Sequence, residues 1–80
     1  MELADPEIRD ILLEKSEDFR ALADQHAEYE SRLEEITAKH LPSEQELVEE
    51  VEIKKRKLHV KDQMAGMIRD YRREKLAVLH

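Results

Sequence analysis

Pro42 is the residue that most constrains how this chain can fold. Only two prolines and one glycine occur in 80 residues, and Pro42 is the proline set deep in the sequence. Its ring removes a backbone donor, clashes with the preceding turn and disfavours helical geometry at Leu41. A helix restarts directly after it. Ser43 and Glu46 have the spacing of a capping box, in which each side chain satisfies the other's backbone N–H. Glu44 adds negative charge where the helix dipole favours it. Pro6 differs, because it follows Asp5, a good N-cap, and sits at the first helical position, where a missing N–H costs little. The sequence therefore predicts helices from about Pro6 to His40 and from about Glu44 to Ala77, with a turn at about Leu41–Ser43. At ~1.5 Å per residue each is roughly 50 Å long. Two helices of equal length on a short loop predict an antiparallel hairpin. Residues 1–80 are expected to form this single all-α, coiled-coil-like unit.

The first helix carries a 4-3 apolar repeat. Leu12, Phe19, His26, Leu33 and His40 take the a-type positions; Ile8, Lys15, Leu22, Tyr29 and Ile36 take the d-type positions. Such a period over many turns argues for coiled-coil packing. The second helix has two apolar stripes. One holds Leu47, Val51, Leu58, Ala65 and Leu76; the other holds Ile53, Val60, Met64, Met67, Tyr71 and Val78, with Ile68 between them. Together they span an arc of roughly 200°, wider than one surface helix needs. One edge is expected to face the first helix, and the other calls for a second partner. The short turn pairs residues whose numbers sum to about 83 or 84, setting Ile36 against Leu47, Leu33 against Val51, His26 against Leu58 and Phe19 against Ala65. Ile53, Val60, Met64, Met67, Ile68 and Tyr71 are then the self-association residues. Two helices alone enclose little volume, so a homodimeric four-helix bundle is the expected assembly.

Charge is segregated along the chain. Fourteen basic against twenty acidic side chains give a net charge of −6. Residues 1–41 hold 12 acids and 5 bases, whereas from Ile53 onward there are 9 bases and 3 acids. The densest basic run is Lys54-Lys55-Arg56-Lys57, with Lys61 nearby. Alongside an acidic first helix it sets the antiparallel orientation. The same five residues are also the candidate partner-binding surface. Read as an anion site they would serve a nucleic-acid-associated regulator. The acidic total and the scarcity of aromatics (Phe19, Tyr29 and Tyr71) count against nucleic acid. Lys15 and Lys61 interrupt the apolar stripes and are expected to snorkel or to fix register.

Several classes of chemistry are disfavoured. With no cysteine there is no disulfide, no thiolate metal site and no thiol nucleophile. No window approaches 18 apolar residues, so no membrane span or membrane partner is expected. Met1–Pro6 lacks the pattern of a signal peptide, and a cytoplasmic location is the default expectation. His26 and His40 lie roughly 21 Å apart along one helix and cannot share a metal within one chain. Gly66 lies inside a helix, so no glycine-rich phosphate loop is available. No nucleophile has an evident base, and neither catalysis nor a cofactor is expected.

The residues from Phe19-x-x-Leu22 and His26-x-x-Tyr29 through Leu33, Ile36, Ser43 and Glu46-Leu47 to Ile53-Lys54-Lys55-Arg56-Lys57-Leu58-His59-Val60-Lys61-Asp62-Gln63-Met64 resemble the YdcH-like family. These are small bacterial helical-hairpin proteins, classed as a domain of unknown function. The likeness runs from about Phe19 to Ile68 and is most specific from Lys54 to Asp62; Gln63-Met64 stands where the family usually has an acid and Leu or Ile. It implies a coiled-coil-like hairpin and oligomerisation, and it supplies no catalytic residues. The function expected is a self-associating interaction or adaptor module. Its partners would be a second copy and a further protein.

Overall fold

The computed structural model describes residues 3–79, and the side chains of residues 3–76. The described residues are all-helical: α1 spans Asp5–Lys15, α2 Glu17–Ala38 and α3 Glu44–Leu79. They form a rod with extents of 56 × 20 × 18 Å. The α2–α3 turn follows the sequence. The Ser43 N–H donates to Glu46 Oε1 at 2.9 Å, and the Glu46 N–H donates to Ser43 Oγ at 3.1 Å. Both halves of the capping box are therefore made. At the other end of the chain the start of α1 shifts by one residue: Ala4 is the N-cap and Asp5 is already helical.

The expected two-helix hairpin is corrected to three helices, because the first helix breaks at Ser16. That residue is extended (φ −113°, ψ 115°). Its hydroxyl accepts from the Phe19 N–H at 3.1 Å. Its own N–H donates to Leu12 O at 2.8 Å, and its carbonyl accepts from the Arg20 N–H. A buried or half-buried backbone must satisfy its polar groups. Here the serine cap closes one helix and opens the next with both ends bonded. Glu17 and Asp18 then occupy the first turn of α2, and Lys15 the last turn of α1, each where the helix dipole favours its charge.

The break lets α1 pack against both other helices. Ile8, Leu12 and Phe19 form a buried cluster, and Met64, Met67, Ile68 and Tyr71 of α3 lie against it. Further along the rod, Ile36, Ile53 and Val60 are buried. Burial of one such side chain contributes about 1.5–3 kcal/mol, so these six buried residues and their half-buried neighbours hold the rod together.

Ion pairs show that α2 and α3 run antiparallel. Lys39 pairs with Glu46, Arg32 with Glu49 at 2.7 Å, and Glu30 with Lys57 at 2.9 Å. These numbers sum to 81–87, close to the expected longitudinal register. The rotation of α3 about its axis is different. Leu47, Val51 and Leu58 do not face Ile36, Leu33 and His26; they point outward. Ile53 and Val60 take the inner face instead. The inward face of α3 also carries Glu49 toward Arg32 and Lys57 toward Glu30, so apolar packing and ion pairing share one rotational setting.

Candidate interaction surface

The predicted self-association residues lie within the chain. Ile53 and Val60 are buried, and Met64, Met67, Ile68 and Tyr71 are half-buried against the α1–α2 cluster. The side chain of Val78 falls outside those described. Tyr71 is further held by Lys75, whose ammonium lies 5.4 Å from the ring centre, within cation–π range.

The second stripe of α3 is left outside. Leu47 is 50% exposed, Val51 53%, Leu58 58% and Leu76 36%, and Val48 beside them is 65% exposed. Leu41 in the turn is also exposed. Scattered exposed leucines are ordinary, but at 100° per residue Leu47, Val51, Leu58 and Leu76 fall within about 40° of one another on one face of α3, with Arg69 between Ala65 and Leu76. Helical spacing had revealed both stripes. It had not revealed which one α1 and α2 would cover.

Two of the five basic residues are paired within the chain. Lys54 pairs with Glu50 at 2.8 Å and Lys57 with Glu30 at 2.9 Å. Lys55, Arg56 and Lys61 are exposed and have no ion pair among the described residues. At 100° per residue, Arg56 and Lys61 fall on nearly opposite sides of α3. Lys15 and Lys61 are both solvent-exposed, and neither lies buried in a helix seam.

A polar cluster at the turn end locks α2 to α3. Arg32 donates through Nε and Nη2 to Glu49 at 2.7 and 2.8 Å, and through Nη1 to Glu35 at 2.9 Å. Such two-point guanidinium–carboxylate contacts fix geometry as well as charge. Hydrogen bonding to Arg32 lowers the Glu49 pKa, and the same pairing raises that of Arg32. Glu46, bonded by the Lys39 ammonium and by Ser43, is lowered to about 2. At mid-rod, Lys57 lowers the pKa of Glu30. At the other end, Arg72 pairs with Asp5 and donates to Leu3 O at 3.2 Å, tying α3 to the start of α1. These groups act as clasps.

His26 is half-buried and lines a cavity of about 250 Å³ with Arg9, Lys61, Met64, Ala65 and Ile68. Two permanent cations beside the imidazole make this a poor setting for a metal ion. No group of three or more His, Cys, Asp or Glu side chains among the described residues could hold one. No described helix is long and apolar enough to cross a membrane.

The family described as a protein of unknown function, DUF465, matches residues 19–68. This is more than half of the 80-residue chain. The chain belongs to the DUF465 family. YdcH-like proteins are part of the same family, so the likeness carried by Phe19 to Ile68 is a family relationship. No curated protein and no solved structure matches the chain. The match covers α2 and most of α3, including the capping box and the Arg32–Glu49 clasp. It stops short of α1, Ser16 and the Tyr71–Leu76 end of α3.

Proposed function

We propose that this DUF465 protein is a non-catalytic, cytoplasmic protein-interaction module that self-associates, with the α2–α3 pairs of two copies forming a four-helix bundle. The observation that carries this reading is the exposed stripe Leu47, Val51, Leu58 and Leu76. Its position replaces the surface expected from the sequence: Ile53, Val60 and their neighbours stabilise the protomer, and the second stripe serves assembly. A self-associated hairpin still presents the acidic α2 to a further protein and can act as an adaptor. Light scattering tests the reading. The wild-type chain is expected to show a discrete oligomer at micromolar concentration, and Leu58→Asp is expected to shift it to monomer with helical content intact. A helical wild-type monomer throughout that range contradicts self-association.

The alternative is a nucleic-acid-associated regulator acting through Lys55, Arg56 and Lys61. It has less support, since Lys54 and Lys57 are already paired and the three free cations do not share a face. It predicts binding to DNA or RNA that weakens steeply with salt. Absence of a mobility shift at low salt removes it.

A further inference from the structure

The outward stripe of α3 has an internal symmetry that specifies its occupant. Val51 and Ala65 lie seven residues before and seven after Leu58. Leu47 and Arg69 lie eleven before and eleven after it, and both are exposed. The charges on one flank follow the same pattern with opposite signs; on the other, Lys54 four before and Lys61 three after share a sign, and Lys54 is held by Glu50. Lys55 is three residues before Leu58 and Asp62 four after; Glu44 is 14 before and Arg73 15 after. At 100° per residue these four side chains fall within about 20° of one another, on one flank of the stripe. All four are exposed, and none has an ion pair among the described residues.

Resting on the self-association reading above, we infer that the stripe pairs with the same stripe of a second copy, antiparallel, about a two-fold axis beside Leu58. A two-fold contact brings one patch onto itself, so residue i meets j and j meets i. With the axis passing beside Leu58, each Leu58 meets its counterpart in the other copy, Val51 meets Ala65, and Leu47 packs against the stem of Arg69. An axis of this kind keeps each flank beside its equivalent, so Lys55 meets Asp62 and Glu44 meets Arg73. A parallel two-fold pairing would instead turn each flank toward the partner's opposite flank, setting Lys55 beside Lys54 and Arg73 beside Arg72, like charge against like, which is unfavourable at coiled-coil flanks. The stripe from Leu47 to Leu76 is ~44 Å long on a helix ~10 Å wide. Its facing area is therefore about 450 Å² per copy, below the ~800 Å² of a standard stable interface. The dimer is accordingly reversible and concentration-dependent.

The natural chain has no cysteine, which makes disulfide trapping a clean test. Glu44→Cys and Arg73→Cys change only exposed flank positions. Mixing the two variants under mild oxidation should yield a covalent heterodimer at least ten times more abundant than the homodimer of either alone. In the antiparallel dimer the two copies of residue 44 lie ~43 Å apart. Adding Leu58→Asp to both chains should abolish the product. Homodimers of Glu44→Cys would establish a parallel arrangement and overturn the inference while leaving self-association standing. An oligomer by light scattering that gives no cross-link, or a cross-link that survives Leu58→Asp, would place the contact on another face and also overturn it. A monomer at all concentrations removes the parent reading with it.

Discussion

Ser16 shows how much one side chain decides. A continuous helix would have kept the 4-3 repeat unbroken, yet the serine hydroxyl takes the Phe19 N–H and ends it. Phe19, fully buried, sits directly beneath that cap. Loss of a serine N-cap typically costs about 1 kcal/mol. Ser16→Ala is therefore expected to lower the Tm by roughly 4–8 °C, and Ser16→Asp, which restores an acceptor, to recover most of it. A melting curve followed by circular dichroism checks both. The break was legible only in hindsight. Glu17 and Asp18 after Ser16, and Lys15 before it, are the charge pattern of a helix end meeting a helix start. With no glycine or proline there, and with Leu12, Lys15 and Phe19 all on heptad positions, periodicity outweighed that local signal.

At the scale of elements, the turn and α2 were readable and the rotation of α3 was not. The capping box at Ser43 and Glu46 is a local motif, fully specified by four neighbouring residues. The a- and d-type positions from Phe19 to Ile36 give one inward face. On α3 two apolar stripes compete, and choosing between them needs long-range partners: Arg32 for Glu49, Glu30 for Lys57, and the α1 cluster for Met64 to Tyr71. The clasps predict a pH response. Carboxylates with depressed pKa values stabilise the fold above their ordinary range and stop doing so as pH falls through the folded value. The contribution from Glu46 should be complete above about pH 4.5 and lost as pH approaches 2. Carboxyl NMR titration should place Glu46 well below an ordinary glutamate, and Lys39→Met should return it toward that range. Gly66 offers a second element-scale test. A Cβ there would meet only Arg69 Nη2, at 3.6 Å, an ordinary contact with a flexible side chain. Gly66→Ala should stabilise the helix by about 0.5–1 kcal/mol, seen as a higher Tm.

For the whole molecule, the all-helical class and the family were legible in the sequence, and which stripe of α3 faces solvent was only half legible. Eighty residues with a 200° apolar arc on one helix do need more than a two-helix contact. The break at Ser16 supplies part of that need within the chain, by bringing α1 onto the Met64–Tyr71 end. The remainder is the stripe from Leu47 to Leu76, and the functional proposal depends on its facing solvent in the single protomer. Thiol labelling measures this directly. Leu58→Cys and Val60→Cys stand two positions apart on α3, one on each stripe. At concentrations low enough to favour the monomer, Leu58→Cys should react with a maleimide probe at close to the rate of an unfolded peptide, and Val60→Cys should be protected by at least a hundredfold. Equal rates, or protection of position 58 with exposure of position 60, would contradict the account.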